Sequence, residues 1–559
     1  MRRQTSETGS INRRGFLGGL AAAAACPTLA DDGKPLFKVG LVTDTHVRET
    51  RTSCERLELA YRLFKDHGVE MIVNCGDIAN TFAPKAYAHY CDIRRETYPD
   101  PATAPKEIYV WANHDRMAYP EDDAKDKLLA FPKVKKLLGI PNEAYDEFVF
   151  KGFTFLVFPQ WLDWNRYEAT IAKACAANPG KPVFIFDHVP PVDTTENSRS
   201  WGSPDRRRIL SKFPQVINIS GHAHGSLRNE QNIWQGAFTD VSVGCLAQWN
   251  GDNVGRAQPT LQNWSCIVME VYPSKAVFRR FELKDRFEIG ANAPWTVSWP
   301  YDPANAPYDP KRLRATRPRP QFPAGAKLSL KVDREPFSSL AVSFPAATDT
   351  DTTVLYRLEL ARRGADGKWV TFACRETRGE YHLPAAARGA TLTDDAISAG
   401  YFTPGETCRI SVTPVNFWGG EGKPISAEWT PPAAKALERV WEGVPAPARP
   451  GEKFSFNGGE ALFSFPEGVW AKIPVGAKVR LTADLLLEQR NVRGVNFGLF
   501  SKRDYRRSSP AIHTPKGYSD LRYVVDFRRV ATKYPLDFRM RQGDRLKVLF
   551  RRLALDRIA

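Results

Sequence analysis

The run Leu36-Phe37-Lys38-Val39-Gly40-Leu41-Val42-Thr43-Asp44-Thr45-His46 sets a short, mainly apolar stretch directly against a carboxylate and an imidazole. Leu36 to Val42 reads as a buried strand. A helical pattern comes next: Ser53 stands at an N-cap position, Leu57, Ala60, Tyr61 and Phe64 recur at i, i+3, i+4, i+7, and Gly68 stops the run. Val69 to Cys75 is a second strand, leading into Gly76-Asp77, and Glu107 to Ala112 a third, leading into Asn113-His114-Asp115. Glu121 to Leu138 is charged and helical, an insertion expected near the strand ends. Phe153 to Phe158, Pro182 to Asp187 and Gln215 to Ser220 are further apolar runs, and the last two end beside histidines. Strand–helix alternation of this kind indicates an α/β domain. Polar residues gathered behind strand C-termini mark where open α/β sheets place their sites.

Composition sets the outer bounds. At roughly 100–200 residues per domain, 559 residues suggest three or four domains. Hydrophobic residues at 42% and charged residues at 25% fit a folded chain and exclude a disordered one. No stretch approaches the roughly 18 consecutive apolar residues of a membrane helix. Nine cysteines without a CxxC pair exclude a disulfide-built scaffold and a zinc knuckle. Cys75 reads as a small core residue, and Cys374 and Cys408 either pair across one domain or stay as buried thiols.

Five of the nine histidines fall in one ordered series. It runs Asp44-Thr45-His46, Gly76-Asp77-Ile78-Ala79-Asn80, Asn113-His114-Asp115, Asp187-His188-Val189-Pro190, Gly221-His222-Ala223-His224. Carboxylate, amide oxygen and imidazole together suit borderline divalent metals such as Mn, Fe, Zn, Co or Ni. There are too many donors for one tetrahedral ion, and two ions sharing a bridging Asp account for all of them. His67, His89, His382 and His513 lie outside the series and read as structural or surface residues.

The series resembles the calcineurin-like metallophosphoesterase superfamily over about Leu36 to Leu283. The resemblance implies an αββα sandwich with Asp44, His46, Asp77 and His224 around a first metal. Asp77 would bridge to a second metal held by Asn113, His188 and His222. His114 would be the catalytic histidine that faces substrate and protonates the leaving group, with Asp115 a candidate to orient it. Two divalent cofactor ions would then supply a bound hydroxide for hydrolysis of a phosphate mono- or diester. Ala112 stands where the family usually has Gly, and the first motif is Asp-x-His, with Asn80 rather than a Tyr in the second motif's region. A purple, Tyr-ligated ferric centre is therefore not expected. Substrate recognition falls to the insertion Arg116 to Phe148 and to the loop Val189 to Ile209, with Trp201, Arg207 and Arg208, and with Arg199 and Arg206 as the substrate-binding candidates. The competing reading is a non-catalytic envelope or polymer-binding protein.

Residues 1–30 read as a signal peptide. Asn12-Arg13-Arg14-Gly15-Phe16-Leu17, followed by a short apolar core to Ala25, resembles the bacterial twin-arginine export signal. It implies the export machinery as a partner and a periplasmic, envelope-associated or secreted protein. The alternatives are cleavage after Ala30 and, as a lipoprotein, lipidation at Cys26. After a phosphoesterase domain at 31–293, the expected order is a Pro-rich linker (294–325), a fibronectin-III-like β-sandwich (326–430), a linker (431–450) and a basic, jelly-roll-like β-sandwich (451–559). The fold class expected is thus multidomain, an α/β metallophosphoesterase sandwich followed by two all-β sandwiches. From Ala436 onward there are 24 basic and 13 acidic residues within an overall charge of +16. Such a surplus reads either as a solvated cationic surface or as a site for an anionic partner, a phosphate-rich polymer, an acidic glycan or a membrane surface. Lys502, Arg503, Arg506, Arg507, Arg528, Arg529, Arg539, Arg541, Arg551 and Arg552 are the candidate contacts for an anionic polymer.

Overall fold

The structure is a computed structural model. It describes residues 33–50, 54–80, 83–116, 131–247, 264–332, 339–349, 352–383, 388–398, 401–403, 405–431, 437–444, 454–456, 461–488, 497–500, 520–529, 537–540 and 546–558. Residues 1–30, read from the sequence as a signal peptide, Ser53 and the first part of 121–138 lie outside them.

The first domain uses strands β1 (Phe37–Val42), β2 (Met71–Asn74), β3 (Lys106–Tyr109), β4 (Asp146–Phe150), β5 (Phe153–Val157), β6 (Val183–Phe186) and β7 (Val216–Ser220). It continues with β8 (Ile233–Gln235), β9 (Thr239–Ser242), β10 (Ser265–Val271), β11 (Lys275–Glu282), β12 (Phe287–Ile289) and β13 (Trp295–Ser298). Its helices are α1 (Glu55–Asp66), α2 (Pro84–Thr97), α3 (Asn113–Arg116), α4 (Phe131–Leu138), α5 (Trp164–Ala177), α6 (Ser198–Trp201) and α7 (Pro204–Leu210).

One sheet has the order β12-β11-β10-β1-β2-β3 with β13 added to β11, and the other the order β4-β5-β6-β7-β9-β8. Both are mixed. The segments β1-β2-β3 and β5-β6-β7-β9 are parallel, whereas β10, β11, β4 and β8 pair antiparallel. Side chains alternate across a strand. Val39 and Leu41 of β1 therefore join Met71, Val73, Phe155, Phe184, Phe186 and Ile219 between the sheets. Val42 and Ile72 point the other way, against Leu57, Tyr61 and Phe64 of α1 and Tyr87 and Tyr90 of α2. Tyr167 and Ile171 of α5 and Ile209 of α7 cover the outer face of the second sheet with Leu156 and Ile185. The layering is helix, sheet, sheet, helix. Strands buried on both faces explain why β1 and β6 read as near-continuous apolar runs.

Further strand-rich sheets follow. Ser329–Val332, Ser339–Pro345 and Thr391–Ser398 form one antiparallel sheet, and Trp369–Arg378, Thr353–Arg363, Cys408–Asn416 and Ile425–Trp429 another. Leu340, Val342, Leu358, Leu360, Ile410 and Val412 are buried in one cluster drawn from both. Cys374 and Cys408 are buried free thiols. Beyond them, Glu438–Gly443, Leu546–Ile558, Lys478–Glu488 and Asp520–Arg528 lie side by side in one sheet, and Ala461–Ser464, Asp537–Met540 and Phe497–Phe500 form another.

Two segments read as linkers are partly strands. β13 falls in the Pro-rich stretch yet pairs with β11 in the register Phe278↔Trp295. Glu438–Gly443 pairs with the last strand in the register Glu438↔Arg557. Of the C-terminal basic residues, Lys502, Arg503, Arg506, Arg507 and Arg541 lie outside the described residues. Arg552 is ion-paired with Glu442.

Candidate metal centre

Every residue of the ordered series sits just past the carboxyl end of a parallel strand. Asp44 and His46 follow β1, Asp77 follows β2, and Asn113 opens α3 beyond β3. His188 follows β6 in the opposite sheet, and His222 and His224 follow β7. The turns there are tight. Of nine non-glycine residues with positive φ among the described residues, five are Asp44 (49°), His46 (42°), Asp77 (54°), His222 (64°) and His224 (48°). Side chains rarely occupy this region, and such conformations gather where function over-determines the backbone. Gly76 has φ +102°, and a Cβ there would lie 2.6 Å from both Ala112 Cβ and His188 Nδ1. The positive φ and the close approach of His188 and Ala112 therefore make glycine obligatory at 76.

The donor atoms converge in two groups. In the first, His224 Nε2 is 3.0 Å from Asp44 Oδ1 and 3.2 Å from His46 Nε2. In the second, His188 Nε2 is 3.3 Å from Asp77 Oδ2 and 3.2 Å from His222 Nδ1. The same Asp77 oxygen lies 3.9 Å from His46 Nε2 and so stands between the groups. Donors around a tetrahedral ion at 2.0–2.1 Å are about 3.3 Å from one another, so these separations suit atoms that share a divalent cation. One buried acceptor, Asn113 Oδ1, has no hydrogen-bond partner among the described residues. An orphaned buried oxygen is costly unless a cation satisfies it. The residues fit a divalent metal centre.

Supporting contacts aim these atoms. Asp44 Oδ2 accepts from Thr43 Oγ1 at 2.8 Å and from the His222 N–H at 2.9 Å, which turns Oδ1 toward His224. Asp77 Oδ1 accepts the His114 N–H at 2.9 Å, which turns Oδ2 toward His188. His188 Nδ1–H donates to the Cys75 carbonyl at 2.8 Å, leaving Nε2 as the donor. Holding the far ring nitrogen on a carbonyl is how ligating imidazoles are oriented.

Charge is distributed unevenly over the four rings. Burial opposes an imidazolium at each, but Asp44 lifts His224 to about 12 and Asp77 lifts His188 to about 9. Burial wins at His46, which falls to about 4, and at His222, which falls to about 3 with His188 adding repulsion. A cation must displace the protons of His224 and His188 on binding.

His114 borders the first group. Its ring centroid is 4.6 Å from that of His46, and it is near enough to His46 and Asp77 to form a third donor set with them. Its Nδ1–H donates to the Asn80 carbonyl at 2.7 Å, leaving Nε2 for the cluster. Asp115 is therefore not its orienting partner. The Asp115 carboxylate instead accepts the N–H groups of Ile78 and Ala79 at 3.0 and 3.4 Å, bracing the loop after Asp77. Burial, then the Asp77 charge, push this carboxyl up to about 8. Nothing but its place beside His114 marked Asp115 in the sequence.

The arginines of the 189–209 loop part company. Arg199 lies on α6, with Nε 3.8 Å from Asp193 Oδ1. Arg206, a substrate-binding candidate from sequence, is 3% exposed and faces inward. Its Nε and Nη2 grip Asp187 Oδ2 and Oδ1 at 2.6 and 2.8 Å, and Nη2 also donates to the Gln160 carbonyl. Asp187 Oδ1 in turn accepts the His188 N–H at 2.7 Å. Arg206 therefore positions the His188 turn and does not present itself to substrate. Arg207 lies 3.9 Å over the Trp234 ring and Arg208 pairs with Asp205 at 2.9 Å. Arg206→Ala is expected to destabilise the protein by about 3–5 kcal/mol, because it strands a buried carboxylate. Urea unfolding measures this, and a loss below about 1 kcal/mol would deny the clamp its structural role.

Comparison with known proteins agrees with this geometry in part. No curated protein matches the chain in sequence. Among solved structures it is similar to a dimetal phosphatase from Danio rerio, with 12% identity and a TM-score of 0.32, over 46% of this chain and 99% of that one. It is also similar to vacuolar protein sorting 29 from Cryptosporidium parvum, with 11% identity and a TM-score of 0.23, over 47% of this chain and 98% of that one. Residues 37–226, which carry the whole donor series, match the calcineurin-like phosphoesterase family model. The chain thus contains a calcineurin-like phosphoesterase domain, followed by further strand-rich sheets.

Proposed function

We propose that the protein hydrolyses phosphate mono- or diesters, with two divalent cations (Mn, Fe, Zn, Co or Ni) as cofactors. The observation that carries this reading is Asp77 Oδ2, one oxygen standing between two groups of buried donors. Asp44, His46 and His224 would hold one ion, Asn113, His188 and His222 the other, and Asp77 both. Such ions supply Lewis-acid polarisation of a phosphoryl oxygen and a water made nucleophilic at neutral pH.

The chain's own residues do the rest. His46 and His224 are nearly buried, at 6% and 7% exposure, so bulk water screens little of the charge they help to hold. His114 keeps the Nδ1 proton on the Asn80 carbonyl, so the proton it exchanges is the one on Nε2. Delivered to the departing alkoxide, that proton makes His114 the general acid. Arg199 belongs to this proposal as a substrate contact on the rim.

Export through residues 1–30 to the cell envelope is part of the same proposal and rests on the paired arginines and apolar core. Binding of an anionic polymer rests on the basic surplus after Ala436. No helix among the described residues is long and apolar enough to cross a membrane.

The test is side-by-side assay of mono- and diester chromogenic phosphates with Mn-loaded protein, before and after chelation. Turnover should vanish on chelation and return in proportion to restored cation. Turnover indifferent to cation removal would overturn the reading, and the preferred ester assigns mono- or diesterase character.

A further inference from the structure

The loop between β6 and α7 holds a large apolar side chain at the rim of the metal centre. Trp201 ends α6 and is 47% exposed. Its ring centroid lies 5.8 Å from that of His222, with the planes at 86°. Tryptophan normally buries most of its surface, and here nearly half of it is exposed on a braced loop. The base of the loop is closed by the Ser203 N–H on the Pro190 carbonyl at 2.8 Å and the Val192 N–H on the Ser203 carbonyl at 3.1 Å. Its crown is tied to the turn that carries His222 and His224: Asn197 Nδ2 donates to the Ala223 carbonyl at 3.1 Å. The Glu196 carboxylate accepts the Ser226 N–H at 2.7 Å and Asn232 Nδ2 at 3.0 Å. Directly after the indole, Gly202 leaves no room for a side chain, since a Cβ there would stand 2.3 Å from the Ser198 carbonyl oxygen.

We propose that Trp201 is a platform for the leaving group. His222, like Asn113 and His114, is partly exposed, so an ester whose phosphoryl group lies between the donor groups can carry its alcohol outward along His222 and onto the indole. A flat ring on that alcohol would stack there, and a linear chain would not. The substrate class is therefore phosphate esters of ring-bearing alcohols, with a nucleobase or a sugar face as the stacking partner. This deepens the phosphoesterase reading and rests on it.

The experiment compares the metal-loaded full chain with Trp201→Ala and Trp201→Phe on adenosine monophosphate, glucose phosphate and glycerol phosphate, each as the monoester and as its methyl diester. Stacking on an aromatic side chain is worth enough that its loss should lower the ratio of kcat/KM for a ring-bearing ester over glycerol phosphate roughly tenfold or more. Trp201→Phe should keep most of that ratio. A fall for the adenosine ester alone assigns a base, and a fall for glucose phosphate as well assigns a sugar face. An unchanged ratio overturns the platform. Calorimetric binding of adenosine monophosphate against inorganic phosphate separates the two claims. Trp201-dependent tightening without any turnover by the parent protein keeps the platform and overturns hydrolysis. Turnover with no Trp201 dependence does the reverse, and neither turnover nor Trp201-dependent binding overturns both.

Discussion

Asp77→Ala is expected to lose bound cation and to cut turnover by on the order of 10³-fold or more. Among the described residues no other offers one oxygen to both donor groups: Asp77 Oδ2 is 3.3 Å from His188 Nε2 and 3.9 Å from His46 Nε2. Its second oxygen holds the His114 N–H, so the same change also loosens the histidine assigned as acid. His224→Ala removes a donor from the first group alone and should cost less. Elemental analysis of the purified variants, read with turnover, checks the order. Parent-like turnover by a cation-depleted Asp77→Ala protein would remove this residue from the mechanism.

His114→Ala should behave differently: cation content retained, kcat lower by roughly 10²–10⁴-fold. The deficit should shrink as the leaving group becomes a weaker base, because such an alkoxide departs without a proton. A series of aryl and alkyl phosphates at fixed cation reads this directly. An equal deficit across the series would instead assign His114 to stabilising charge on the phosphoryl oxygens. Loss of cation from the variant would make it a ligand, in keeping with its closeness to His46 and Asp77.

The centre was legible because its residues are ordered by topology. Each motif follows an apolar run, and parallel strands bring their carboxyl ends to one edge, so Asp44, Asp77, Asn113, His188 and His222 meet although 178 residues separate Asp44 from His222. Local pattern failed where a residue's role depends on a distant partner. Arg206 stands in an arginine run at a helix start, which looks solvated or substrate-facing, and only the fold sets it against Asp187. Trp295 stands among prolines, yet the edge of β11 recruits it into the sheet. Glu438–Gly443 finds its partner more than a hundred residues later, in Leu546–Ile558. Pairing over such a separation leaves no periodic trace in the shorter strand.

The donors come from both halves of the sandwich: Asp44, His46, Asp77 and Asn113 from the sheet of β1, β2 and β3, and His188, His222 and His224 from that of β6 and β7. A cation held by both groups is thus a rivet through two layers that otherwise adhere by apolar contact. An unfolded chain scatters these donors, so the ion favours the native state by mass action. The resistance of this domain to unfolding is then set partly by its surroundings, rising and falling with the free concentration of the ion.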